Sequence, residues 1–140
     1  MDASFAKWLE QNGLVLAFCT SAGDCVYVNR QKGFGVLEKF DERGAQSFYL
    51  EDVVAFETRD DEKLVARWER NGTWGVEPRA DKHSTNEMYL CLRLADGKVL
   101  KVQLFRAAAH NVERATEAHQ RLYRYACNSS QCMYNLIVGK

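Results

Sequence analysis

Met88-Tyr-Leu-Cys-Leu-Arg-Leu94, Ala95-Asp-Gly97, Lys98-Val-Leu-Lys-Val-Gln-Leu-Phe105 is the stretch that decides the fold, because its register can be worked out from the residues themselves. A two-residue Asp-Gly turn would set Leu92 opposite Lys101 and Leu90 opposite Gln103, an apolar side chain against a polar one at each step. A three-residue loop with Gly97 in the left-handed region pairs Leu92 with Leu100, Leu90 with Val102 and Met88 with Leu104. The second register gathers the apolar side chains on one face, which predicts an antiparallel hairpin with one face on a core and the other in water.

Upstream of this hairpin, turn signals arrive about every ten residues: Ser21-Ala-Gly-Asp24, Arg30-Gln-Lys-Gly33, Asp41-Glu-Arg-Gly44, Asp60-Asp-Glu-Lys63 and Arg70-Asn-Gly72. The runs between them are strand-like: Leu14 to Thr20, Cys25 to Asn29, Phe34 to Phe40, Gln46 to Leu50, Val53 to Thr58, Leu64 to Glu69 and a weaker Thr73 to Val76. That cadence reads as a β-meander. Pro78 to Asn86 is polar, holds the only proline and reads as the longest loop. Before the first strand, Phe5, Trp8 and Leu9 recur at helical spacing within Asp2 to Gln11, and Asn12-Gly13 is a stop signal, so a short amphipathic helix opens the chain and is expected against the sheet edge.

Downstream, the period changes from two to 3.6 at Ala107. Val112, Ala115, His119, Leu122, Tyr123 and Ala126 fall on one face, with Glu113, Arg114, Glu117, Arg121 and Arg124 on the other, which predicts one long amphipathic helix ending near Asn128. The apolar run Cys132-Met-Tyr-Asn-Leu-Ile-Val138 reads as a final strand, able to pair with an edge of its own sheet or to form a homodimer through the C-terminal tail. The expected fold is a single β-rich α+β domain over residues 1–140. It has a core at about 14–126, a tail at 128–140 and about seven or eight antiparallel strands in a bent sheet or partly open barrel, with a short N-terminal helix and a long C-terminal one.

Lysine plus arginine equals aspartate plus glutamate at 19 each, so no long-range field draws in nucleic acid or an anionic membrane. No segment approaches the roughly 18 apolar residues of a membrane span, and the N-terminus has neither a basic leader nor an apolar signal core; the expected location is the cytoplasm. The five cysteines, Cys19, Cys25, Cys91, Cys127 and Cys132, are odd in number and lack CxxC spacing, so reduced thiols are expected. Cys19 and Cys25 flank the first turn and Cys127 and Cys132 the helix end. A four-thiolate metal site from these pairs departs from the two-to-four-residue spacing of structural zinc sites, and no metal or other cofactor is expected. The spacing of Cys127 and Cys132 permits a labile disulfide.

Many short antiparallel strands closed by one C-terminal amphipathic helix resemble the pleckstrin-homology-like superfold. More narrowly, Cys25-Val-Tyr-Val-Asn29, the strand Phe34 to Phe40, and Phe48-Tyr-Leu-Glu-Asp-Val-Val-Ala-Phe-Glu57 resemble a bacterial pleckstrin-homology-like family over about Leu14 to Ala126. The resemblance implies a binding module for peptides, proteins or lipids rather than an enzyme. The lipid-binding branch holds inositol phosphates with lysines and arginines of the first strand loop. Here that region is Ser21-Ala-Gly-Asp24, followed by a turn with only Arg30 and Lys32.

No HExxH, Walker loop, GxSxG or dinucleotide fingerprint is present. His110 and His119, nine residues apart, fall on opposite sides of a helix at about 100° per residue. His119 belongs to the apolar face, His110 to the helix start, and His83 to the polar loop with Asp81 and Glu87. Arg114, Arg121 and Arg124 form an anion-binding stripe only if Glu113 and Glu117 are ignored, so a solvated face is the simpler reading. The binding candidates are Trp68 and Trp74, on strands joined by Asn71-Gly72, with Arg67 and Arg70 beside them, since exposed aromatics next to arginine make protein-binding hot spots. Against this, Trp68 alternates in step with Leu64 and Ala66, which sets it on the core face; Trp74, between glycines, is the better surface residue. The expected function is a non-catalytic module recognising a protein or peptide through a sheet edge or the Trp68/Trp74 hairpin. The alternatives are a small-ligand or lipid-binding domain with a pocket between helix and sheet, and a small enzyme using His83 or His110.

Overall fold

The structure, a computed structural model, describes residues 3–40, 44–77, 84–106, 112–113 and 117–139. In chain order it runs α1 (Ala3–Gln11), β1 (Val15–Cys19), β2 (Cys25–Asn29), β3 (Phe34–Glu38), β4 (Ala45–Tyr49), a 3₁₀ turn (Leu50–Asp52), β5 (Val53–Asp60), β6 (Lys63–Glu69), β7 (Trp74–Val76), β8 (Ser84–Thr85), β9 (Glu87–Leu94), β10 (Val99–Arg106), β11 (Val112–Glu113) and α2 (Glu117–Val138). The fold is α+β and β-rich. A four-stranded antiparallel sheet, β1-β2-β3-β4, faces a five-stranded one, β10-β9-β5-β6-β7; the two do not close into a barrel, and β8 and β11 make a separate two-stranded ribbon.

The deciding hairpin forms with the three-residue loop. Leu100 lies opposite Leu92 and Val102 opposite Leu90, and Gly97 takes φ +90°. The third expected pair slips: Phe105, not Leu104, lies opposite Met88, because a bulge shifts the register between Gln103 and Phe105. Gln103 holds this bulge together, its side-chain amide donating to Phe105 O at 2.9 Å and Met88 O at 3.3 Å. The meander is interrupted as well, since β9 returns to lie beside β5 and leaves β7 as the outer strand.

One core joins the inner faces of both sheets to α2. Val26, Leu37 and Phe48 come from the first sheet, Phe56, Leu90, Leu92 and Val102 from the second, and Ala126, Met133 and Leu136 from the helix. Burying each large aliphatic or aromatic side chain contributes about 1.5–3 kcal/mol. Gly35 is required by this packing: a Cβ there would sit 2.8 Å from Phe48 Cζ, so its absence lets the Phe48 ring cross over β3. A smaller cluster lies on the opposite face of the first sheet. There Leu9 of α1, with Phe5 against it, packs on Tyr27 and Val36 of the two central strands. The N-terminal helix thus covers a sheet face and not the sheet edge.

The C-terminal segment corrects the expectation of a tail strand. Residues 117–138 form one helix of 22 residues, and Cys132–Val138 is its last part. Ala126, Ser129, Ser130, Met133 and Leu136 are buried at three- and four-residue spacing. The helix does not end near Asn128 as expected: Ser129 and Ser130 are accommodated within it, donating back to the carbonyls of Tyr125 and Ala126 at 2.9 and 2.7 Å. Ser130 also shares a hydrogen bond of 2.7 Å with Thr58 of β5, which fixes the helix axially on the sheet. The segment expected to dimerise buries Met133 and Leu136 within its own chain. Val112–Glu113, expected as helix, is strand; Ala107 to Asn111 lie outside the described residues. Among the described residues, no helix is long and apolar enough to cross a membrane.

Candidate functional site

Phe56, Trp68 and Trp74 lie side by side across β5, β6 and β7 in direct register. Trp68 is buried at 7% exposure and stacks on Phe56, with ring centroids 5.9 Å apart. Trp74 is half-buried, tilted on Phe56 at 5.7 Å and stacked on Tyr134 of α2 at 4.8 Å. Trp74 therefore joins sheet to helix and Trp68 lies in the core against Phe56, instead of the pair standing at a hairpin tip. Arg70 lies 5.2 Å over the Trp68 ring and donates to the carbonyls of Val53 and Leu50 at 3.0 and 3.1 Å, so it latches the end of β6 to the start of β5. Arg67 is exposed on the outer sheet face.

The other candidates are scattered. His83, His110 and Arg114 lie outside the described residues; His119 falls in the first turn of α2. Arg121 lies 3.8 Å from Glu117, one turn away on the same helix, and Arg124 is exposed. Reduced thiols throughout were expected, but Cys19 and Cys25 are joined in a disulfide, so neither is free for a four-thiolate site. They are directly opposite in the β1–β2 register, on either side of the turn they flank. Cys127 and Cys132 are free and lie on one helix, where five residues put their directions about 140° apart. Burial pushes the Cys91 and Cys127 thiols above the ordinary cysteine range, the opposite of what an activated nucleophile needs. Among the described residues, no group of three or more His, Cys, Asp or Glu side chains could hold a metal.

What the structure does assemble is a set of sheet edges, each treated differently. The β1 edge carries a bulge between Leu16 and Phe18, which breaks the regular pairing surface. The β7 edge is three residues long. The β10 edge is occupied by side chains from the β1–β2 turn and by Lys39, which follows β3. Thr20 Oγ1 donates to Gln103 O at 2.6 Å, Asp24 Oδ2 accepts from Gln103 N at 2.8 Å, Ser21 Oγ donates to Leu104 O at 2.6 Å, and Lys39 Nζ donates to Lys101 O at 2.8 Å. Thr20 and Asp24 together satisfy both backbone groups of Gln103, as a neighbouring strand would. Asp24, with 2% of its side chain exposed, also accepts from Lys39 Nζ at 2.7 Å and Phe40 N at 2.9 Å. Sequence reading registered Asp24 as a turn former only.

The remaining edge, β4, has a regular five-residue register with β3 and no other strand beside it among the described residues. Leu50 N donates to Gly33 O at 2.8 Å. Because antiparallel residues alternate in direction, Phe48 and Gln46 also turn to β3, and the amide and carbonyl groups of Ala45, Ser47 and Tyr49 point outward. A groove of about 860 Å³ borders this edge. Trp8, Phe34 and Tyr49 line it on the α1 side, Phe48, Leu94 and Leu100 on the core side. Trp8 and Tyr49 are 41% and 58% exposed, large aromatic surface left in solvent next to the outward-pointing groups of the strand. Asp52, Asp96 and Lys98 stand at the rim, with Lys98 3.9 Å from Asp96. The run Phe48-Tyr-Leu-Glu-Asp was legible as a strand entry, but an edge is a property of the whole sheet order. Comparison with family models, with curated proteins and with solved structures finds no match to this chain.

Proposed function

We propose that the chain is a non-catalytic, pleckstrin-homology-like binding module that takes an extended segment of a partner protein as an added strand on β4. The observation that carries this is the contrast among the four sheet edges: β1 is bulged, β7 is short, β10 is capped by side chains, and β4 is regular, open and set in an aromatic groove. Exposed regular edges are liabilities that proteins usually blunt, and strand addition is a recurrent way of using one. Backbone bonds to Ser47 and Tyr49, at about 1 kcal/mol each, supply register and modest affinity. Specificity comes from alternate side chains of the segment, one set over Trp8 and Tyr49 and the other over Phe48 and Leu100. Phe56, Trp74 and Tyr134 pack against one another between sheet and helix, which favours the edge over an interior pocket at that place.

The test is selection of extended peptides from a displayed random library, followed by Ser47→Pro. Ser47 N points away from β3, so proline there removes an outward donor and leaves the β3–β4 ladder intact. Selected peptides should shift the Ser47 and Tyr49 amides and the Trp8 indole in NMR spectra, and Ser47→Pro should lose binding at unchanged melting temperature. Peptides that bind the Ser47→Pro protein equally well, or that shift residues of another face, overturn the reading.

A further inference from the structure

We propose that the Cys19–Cys25 bond is a thiol–disulfide exchange site, addressed by a dithiol reductant, whose state sets how firmly the β1–β2 turn holds the edge of β10. This does not depend on the β4 reading. Thr20 N donates to Asp24 O at 2.8 Å, so that pair is the hydrogen-bonded one. The next pair, Cys19 and Cys25, is then the closely spaced, non-hydrogen-bonded kind, with Cα atoms 4.1 Å apart. Cys19 is exposed and Cys25 half-buried, so the bond is open to attack from solvent on the Cys19 side.

The bond encloses only Thr20 to Asp24. Closing so short a loop restrains little of the unfolded chain, so its effect is local to the turn. That turn is the segment whose Thr20, Ser21 and Asp24 occupy Gln103 and Leu104 of β10, and whose Ser21 N donates to Tyr125 Oη of α2 at 2.9 Å. One covalent bond thus governs the geometry of a side-chain cap over a strand edge.

The chemistry balances as an exchange. A thiolate of the dithiol attacks Cys19 Sγ, forming a mixed disulfide and expelling Cys25 as a thiolate, which takes a proton from water. The second thiol of the reagent then gives up its proton and attacks the reagent's own disulfide sulfur, expelling Cys19 as a thiolate that takes up that proton. Two electrons pass from dithiol to protein, which ends with two thiols while the reagent ends as a cyclic disulfide. In a compartment held reduced by such dithiols an accessible protein disulfide is transient and regulatory rather than structural.

The experiment places the full chain in oxidised and reduced dithiothreitol, counts alkylated thiols by mass spectrometry, and follows amide exchange at Gln103. The oxidised protein has three free cysteines, Cys91, Cys127 and Cys132, and reduction should add two while the circular dichroism of the folded domain persists. Gln103 exchange should quicken about tenfold on reduction and return on reoxidation, as expected for a local opening. Cys19→Ser with Cys25→Ser should exchange at the fast rate in both buffers. If that variant does not fold, the reduced wild-type protein supplies the same comparison. A bond that resists dithiothreitol in the folded protein, a reduction that unfolds the whole domain, or Gln103 exchange equal in both states overturns the proposal.

Discussion

Replacing Asp24 by alanine removes the acceptor around which the two sheets are pinned. The carboxylate serves three donors: Lys39 Nζ at 2.7 Å, Gln103 N at 2.8 Å and Phe40 N at 2.9 Å. Gln103 N is buried and has no route to solvent without moving β10, so its loss alone costs about 1–3 kcal/mol. Lys39 is 11% exposed and can swing its ammonium group partly into water, which keeps the penalty below that of a sealed cation. Breaking a buried pair by deleting one partner costs about 3–5 kcal/mol, and the lower half of that range applies here. For a domain of this size each kcal/mol is about 3–5 °C of melting temperature, so Asp24→Ala should melt roughly 10–20 °C below wild type. Asp24→Asn keeps one carbonyl acceptor and should lose about half as much. Lys39→Met, which leaves the carboxylate its two amide donors, should lose less than Asp24→Ala. Urea unfolding read by tryptophan fluorescence gives the free energies, and amide exchange at Gln103 locates the damage. An Asp24→Ala protein within about 1 kcal/mol of wild type, with Gln103 still protected, would refute the account of the β10 cap.

Trp74→Ala should destabilise by about 2–4 kcal/mol, since it empties the space between Phe56 and Tyr134. A loss below about 1 kcal/mol in the same urea assay would return Trp74 to the surface. Burial, then the charge of Glu38 and its hydrogen bond, push the Tyr27 hydroxyl up from 10.0 to about 12. A raised folded value favours the protonated state. Its contribution is therefore full below pH 10 and lost as pH climbs through about 12. Ultraviolet titration of wild type against Tyr27→Phe reads this directly, and no tyrosine ionising above the normal range would count against it.

The β9–β10 hairpin was legible because its information is local: Leu90, Leu92, Leu100, Val102 and Gly97 lie within about a dozen residues and admit one sensible register. Trp68 was placed inside by its alternation with Ala66, and it is inside. The bulge at Leu104 was not legible, being held by a Gln103 side chain whose polarity suggested exposure. The helix end was misplaced near Asn128 because the apolar run Cys132–Val138 reads locally as a strand, while its burial as helix depends on the sheet beneath it and on the back-bonded Ser129 and Ser130. The candidate site was less legible than the fold. Asp24 and Gln103 are 79 positions apart, and no periodicity links them. Nor does any residue of β4 announce that no second strand lies beside it among the described residues; that follows only from β9 returning to β5.

That return also orders events during synthesis. Phe56 sits between Trp68 of β6 and Leu92 of β9, so β5 is the middle strand of its sheet although its two neighbours emerge far apart in time. In a growing chain that has released β5, β6 and β7, the β9-facing flank of Val53–Asp60, which carries Val53, Val54 and Phe56, has no partner strand yet and is open to pairing with another nascent copy. The flank is covered only when the last hairpin has cleared the ribosome and docked. Chains ending before Arg106 therefore leave that flank bare, and the β5–β9 pairing is a non-local contact of the kind whose loop closure slows folding.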